Sequence, residues 1–166
     1  MPDQFKLIRE KGLYNPQFEH DNCGIGAIID IEGRESHTLV TDALSIVENL
    51  EHRAGKDAEG KTGDGVGILT QIPHDFFVKK LKEQGVTLPA RRKYGVGMFF
   101  FPQNDLDTRQ ARSMFEIIVR KAQLRLIAWR KVESDPDVLG SKARECMPDI
   151  WQAFIERPEE AKEDLD

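Results

Sequence analysis

The 166-residue sequence is poor in cysteine, with Cys23 and Cys146 as its two. Neither belongs to a C-x-x-C pair, so neither a disulfide framework nor a zinc site can be read from them. No apolar run approaches the roughly 18 residues needed to span a bilayer. The longest apolar patch is the short stretch 96–101, with Gly97 inside it. Residues 1–22 are polar and charged and lack the apolar middle of a secretory signal. A cytoplasmic location is therefore the default expectation. The sequence also lacks a basic excess: its formal charge is −5, which leaves no electrostatic footprint for nucleic acid. With 39% hydrophobic and 32% charged residues, the composition suits one globular domain of ordinary size and argues against wholesale disorder.

What is present alternates between strand-like and helix-like stretches. Residues 1–22 have weak periodicity, with a turn at Asn15-Pro16 and a polar run at 19–22. Residues 25–31 read as a short apolar strand. Leu39, Val40, Ala43, Leu44, Val47 and Leu50 recur at helical spacing, with Ser36 placed to cap the start. A polar, Gly-rich stretch follows from Lys56 to Gly67, and residues 68–72 read as a second strand. Pro73-His74 opens a helix that runs to about Gln84 and stops at Gly85. Residues 95–101 read as a third strand, 106–123 as a helix, and 124–132 as a fourth strand. Asp135-Pro136 marks a turn. Pro148 argues against a helix interior, so 147–155 reads as a fifth strand. The tail, 156–166, is acidic and offers no apolar closure.

Three pieces carry chemistry. They are His20-Asp21-Asn22-Cys23-Gly24-Ile25-Gly26, Leu50-Glu51-His52-Arg53-Ala54, and the run from Thr62-Gly63-Asp64-Gly65 through Phe77. A Cys-Gly pair at the mouth of an apolar strand says little by itself. The ordered series of Cys-Gly, strand, helix, His-Arg and Gly-rich turn says much more. The Gly63-to-Gly67 run does not fit a phosphate loop, and Asp57, Glu59 and Asp64 lack EF-hand spacing. It reads as a tight turn feeding a buried strand. Phe99, Phe100 and Phe101 read as core strand. Lys79-Lys80 and Arg91-Arg92-Lys93 read as solvated charges.

Across residues 14–154 the chain resembles the class II, N-terminal-nucleophile glutamine amidotransferases, and within them the large-subunit glutamate synthase branch. The stretches 18–24 and 62–77 are the most diagnostic. The resemblance implies an α+β, four-layer α/β/β/α Ntn-hydrolase fold, of which this chain holds the N-terminal portion. Nothing after Ile155 reads as a finishing element. It implies that residues 1–22 are a propeptide, and that 23–166 are a class II amidotransferase domain incomplete at its C-terminal end. Cleavage at Asn22-Cys23 would place Cys23 at the mature N-terminus as the catalytic nucleophile. Taken alone, a lone cysteine reads as a small buried hydrophobe. The flanking motifs turn Cys23 into a nucleophile, whereas Cys146, without such a context, reads as a buried thiol.

The resemblance further implies that Gly24, Arg53 and Ala54 bind substrate or adjoin the site. The family's commoner spelling has Gly where this chain has Ala54, and a positive φ there would strain an alanine. The plainer reading of His52 and Arg53 is that they are basic residues at a helix C-terminus. The family's oxyanion hole uses an Asn-Gly pair, and no Asn-Gly occurs in this sequence. Its glutamine-gripping Arg and Asp also match nothing here. Residues 23–166 alone are thus expected to hydrolyse glutamine at a negligible rate.

The implied substrate is L-glutamine, and the implied partners are downstream synthase domains or a synthase subunit. Those domains would use FMN and an iron–sulfur cluster, with NADPH or ferredoxin as electron donor. No cofactor or metal is expected in this segment, and neither a nucleic acid nor a membrane partner is expected. Two alternatives remain open from the sequence: the glutaminase of another class II amidotransferase, and a non-catalytic assembly module.

Overall fold

The computed structural model describes residues 23–159, so the expected propeptide and the last seven residues of the acidic tail lie outside the described residues. The described chain divides into two compact units, one ending at Arg53 and the other beginning at Ala54.

Among the described residues, the first unit has a segment without regular structure followed by the helix α1 (His37–Asn49). The helix starts where Ser36 takes extended φ/ψ and its Oγ accepts a hydrogen bond from Leu39 N at 3.3 Å. This is the cap expected from sequence, and it satisfies one of the amide donors left over in a helix's first turn. The apolar residues Leu39, Val40, Ala43, Ile46, Val47 and Leu50 are half-buried, whereas Leu44, placed on the same stripe by spacing, is exposed. Residues 25–31, expected as a strand, form none: they have no regular structure up to a turn at 31–32, with Ile25 87% and Ile29 81% exposed. The reason is simple. A strand is defined by its partner's hydrogen bonds, and no described residue supplies a ladder to this segment.

The second unit is built on an antiparallel sheet of β1 (Tyr94–Phe101), β2 (Arg125–Lys131) and β3 (Asp149–Glu156), in the order β1-β3-β2. The antiparallel pairing rules out a doubly wound parallel sheet here. It pairs Val96 with Phe154 and Phe99 with Trp151, and a bulge between Leu126 and Ala128 shifts the β2 register by one residue. Alternation then sorts the side chains onto two faces. Tyr94, Val96, Ile127, Ala128 and Phe154 face α2 (His74–Lys82), whose Phe77 and Leu81 complete the core. The opposite face carries Phe99, Phe101, Trp129 and Trp151, over which Phe115 of α3 (Asp105–Lys121) lies edge-on, 4.6 Å from Phe99. Arg112 of α3 lies over both tryptophans, at 4.9 Å from the Trp129 ring and 4.2 Å from Trp151. Of the phenylalanine triplet, Phe99 and Phe101 are core residues as expected, but Phe100 points away and is exposed.

Helix ends follow local chemistry. Helix α2 begins at Pro73, carries Asp75 in its first turn and Lys79, Lys80 and Lys82 in its last. That arrangement matches the sign of the helix dipole at both ends. It ends with Gly85 at φ +72°, Gly85 N donating to Lys82 O and Val86 N to Leu81 O. This double closure needs the left-handed backbone that glycine supplies without strain. Helix α3 is capped by Asn104, whose side chain accepts from Leu106 N at 2.9 Å. It closes through the same pattern, but with Gln123 at φ +56° in the glycine position. A short helix that the sequence did not announce, α4 (Ser141–Glu145), precedes β3. The stretch 68–72, expected as a buried strand, again has no regular structure, and Leu69 is fully exposed.

Candidate active site

In the first unit Gly24 lies on the Leu50 side chain, and the Leu50 backbone carbonyl opens the turn that holds His52 and Arg53. The Cys23 thiol is free and exposed, which excludes its being a small core hydrophobe. The next residue, Gly24, lies directly on Leu50: a Cβ at Gly24 would stand 3.0 Å from Leu50 Cδ2 and 3.1 Å from Cδ1. Two residues on, Gly26 rests on Ile46, where a Cβ would overlap Ile46 Cγ2. Alternate residues of an extended chain share a side, and positions i and i+4 of a helix share a face. The two glycines therefore allow the chain entering from Cys23 to lie flat along α1.

Leu50 also ends that helix. Its N–H is shared between Ile46 O at 3.2 Å and Val47 O at 3.1 Å, and its carbonyl accepts from Arg53 N at 2.9 Å. The chain passes into a single 3₁₀ turn, Glu51–Arg53, as helices often do at their ends. His52 Nδ1 donates to Asn49 O at 2.9 Å, since a carbonyl oxygen can only accept. His52 thus has the plain capping role. The Arg53 side chain is exposed. Both basic groups sit where the helix dipole is negative.

Ala54 opens the second unit and is half-buried. It is not among the residues with positive φ, which are Arg92 and Gln123 together with three glycines. The substitution of Gly by Ala at this position therefore carries no backbone strain. The Thr62-Gly63-Asp64-Gly65 run is the returning arm of a small hairpin, in which Lys56 pairs with Gly63. Asp64 Oδ2 accepts from Gly55 N at 2.8 Å, so this aspartate is occupied in closing a turn. The run is a tight turn as expected, but the strand it was to feed is unpaired and exposed.

The second thiol departs from expectation. Cys146 is exposed rather than buried: it caps the five-residue α4 and precedes the irregular Met147-Pro148 link to β3. An open cleft of about 750 Å³ in the second unit is lined by Lys131, Glu133, Arg144 and Asp149 among others, and by none of the expected site residues. Lys131 and Asp149 already pair at 2.8 Å across it. Among the described residues no three His, Cys, Asp or Glu side chains gather to hold a metal ion. No helix among them is long and apolar enough to cross a membrane.

Comparison with known proteins gives the family. The family described as "Glutamine amidotransferases class-II" matches residues 23–166. The chain is 34% identical over 160 residues to the glutamate synthase [NADPH] large chain of Bacillus subtilis, covering 96% of this chain and 10% of that protein. It is 37% identical over 150 residues to the glutamate synthase [NADH] of Schizosaccharomyces pombe, covering 90% and 7%. It is 39% identical over 146 residues to ferredoxin-dependent glutamate synthase 1 of Arabidopsis thaliana, covering 88% and 9%. The chain spans about a tenth or less of the length of these curated relatives. A family match that begins at Cys23 and extends to Asp166 covers most of the sequence, and the chain belongs to the class II glutamine amidotransferases.

Proposed function

We propose that this chain is the leading part of the glutaminase domain of a glutamate synthase, and that Cys23 is its nucleophile. One observation carries the reading: the family match starts at Cys23 itself, and that thiol is free and exposed. In the proposal, residues 1–22 are removed at the Asn22-Cys23 bond, so that Cys23 acquires a free α-amine. A thiol with a pKa of about 8.5 is a weak nucleophile at neutral pH, and an α-amine with a pKa of about 7.7–8.0 is a base in that range. Placing both on one residue supplies nucleophile and base in fixed geometry.

The amine takes the thiol proton, and the sulfur attacks the side-chain amide carbon of glutamine. The same amine returns that proton to the departing nitrogen, and ammonia leaves. Water then cleaves the thioester to give glutamate and the thiol. Gly24 keeps the chain that leaves the thiol low over Leu50. Arg53 and Ala54 adjoin the bound glutamine. The ammonia passes to a synthase site on downstream domains or a partner subunit and aminates 2-oxoglutarate there.

The relatives are NADPH-, NADH- or ferredoxin-dependent enzymes. In the proposal, FMN and an iron–sulfur cluster serve that distant site. Two cysteines in separate units do not fit the four-thiolate set of a cluster, so no step here runs through one. The oxyanion of the thioester step needs donors, and their usual Asn-Gly pair is missing from residues 1–166.

For the fold, the proposal is a four-layer α/β/β/α arrangement. Its support is apolar surface in want of cover: residues 25–31 and 68–72 are unpaired, and Met98 and Phe100 are exposed on the sheet beyond α2. Sheet partners for each of these segments would pair their backbones and bury that surface. Replacing Cys23 with Ala in the full-length enzyme tests the functional reading. Glutamine-dependent turnover should vanish while ammonia-dependent turnover persists. Retained glutamine use, or loss of both activities in a folded protein, would contradict it.

A further inference from the structure

Residues 55–64 form a hairpin whose conformation is fixed at both ends. Asp57 N donates to Thr62 O and Gly60 N to Asp57 O, each at 2.8 Å, with Gly60 at φ +70° in the turn. At the open end, Asp64 N donates to Gly55 O at 3.2 Å while Asp64 Oδ2 accepts from Gly55 N. A Cβ on Gly63 would stand 2.9 Å from Gly55 O, so a glycine is needed for the two arms to meet.

The tip of this hairpin is tied to α4, some eighty residues further along the chain. Ser141 N and Oγ donate to Glu59 Oε2 at 3.3 and 2.9 Å, and Thr62 Oγ1 donates to the other Glu59 oxygen at 2.6 Å. Lys142 Nζ meets Asp57 Oδ2 at 2.5 Å. Gly140 leaves no room for a side chain, because a Cβ there would overlap Glu59 Oε1 and Thr62 Oγ1. One exposed ion pair contributes little by itself. A doubly bonded carboxylate, an ion pair and a glycine-shaped seat at one place make a specific latch.

The hairpin follows directly on Arg53-Ala54 and is rich in glycine. With its tip released, such a segment would sample many backbone states, and tethering the tip removes them. We infer that residues 55–64 are a strap, latched through Asp57 and Glu59 onto Gly140–Lys142, that holds the neighbouring Ala54, the first residue of the second unit, in the conformation glutamine binding requires. Glu59 is then a positioning residue for the glutaminase reaction, an inference that rests on the function proposed above.

The test uses the full-length protein and three variants: Glu59→Ala, Asp57→Lys, and Asp57→Lys combined with Lys142→Asp. Hydrogen exchange of amides 57–62 reads the latch, and steady-state kinetics with glutamine and with ammonia read its consequence. In Glu59→Ala and Asp57→Lys, exchange should quicken and KM for glutamine should rise about tenfold, with kcat within about twofold and ammonia-dependent turnover unchanged. A merely structural loss would lower kcat through a smaller active fraction and leave KM alone. The charge swap should return both exchange and KM close to the parent values. Unchanged exchange in Glu59→Ala would show that there is no latch. Quickened exchange with an unmoved KM, or a swap that rescues nothing, would remove the positioning role. A parent enzyme that cannot use glutamine would overturn the inference through the reading of Cys23, while the exchange data would still report on the latch by itself.

Discussion

Gly26 lies on Ile46 so closely that there is no space for a Cβ between them, and Gly24 lies on Leu50 one helical turn further along. These two contacts seat the chain that carries Cys23 on α1. Gly26→Ala is therefore expected to loosen the seat by about 1–3 kcal/mol, the usual effect of overpacking. Hydrogen exchange of the α1 amides should quicken in that variant. Adding Ile46→Ala should make room, so the double variant should be less perturbed than the sum of the two single ones. Strict additivity would mean that the glycine does not act through this contact.

Helix α3 ends with Gln123 in the left-handed region, at φ +56°, where the chain folds back so that Leu124 N meets Val119 O at 3.0 Å. A side chain with a Cβ is disfavoured there, and glycine is not. Gln123→Gly should therefore stabilise the second unit by about 1 kcal/mol, read as a higher melting temperature or slower exchange at Leu124. A destabilised variant would show that the glutamine side chain makes up for its backbone.

Glu59 carries the clearest charge signature of the strap. The Thr62 hydroxyl first, and the Ser141 hydroxyl and amide next, hold its carboxyl below the ordinary glutamate value. A carboxyl whose pKa falls on folding stabilises the folded form above its unfolded pKa. That contribution fades as pH drops through the folded value. The latch should therefore be closed at neutral pH and weaken in the acid range below the usual glutamate pKa. Side-chain NMR titration should place the Glu59 inflection below that value. Thr62→Val should move it back up, and Ser141→Ala should do so by less. A Glu59 that titrates like a free glutamate in the parent would contradict this.

How far the sequence reaches depends on where each element finds its partners. Helix α1 with its Ser36 cap, α2 with its Gly85 stop, and α3 were readable because their signals are local: apolar spacing, a capping side chain, a breaker. The strands at 94–101, 125–131 and 149–156 were also readable, and they pair with one another within the described residues. Segments 25–31 and 68–72 have equally strand-like sequences but find no partner there, so an intrinsic preference had no ladder to express it. Cys146 misled because burial is a property of the neighbours; α4 is too short to show periodicity, and it turns the thiol outward. The contact of Gly24 with Leu50 was not readable, since apolar spacing placed Leu50 in the helix stripe with nothing to mark what lies on it. The strap was also out of reach, because Glu59 and Ser141 are linked by folding alone.

The most direct test of the central claim is to treat the full-length protein with a thiol-directed glutamine analogue and to map both the adduct and the N-terminus by mass spectrometry. The account predicts a single adduct on Cys23, at a terminus from which residues 1–22 have been removed. An adduct on Cys146, no adduct at all, or brisk glutamine hydrolysis by a chain still beginning at Met1 would contradict it.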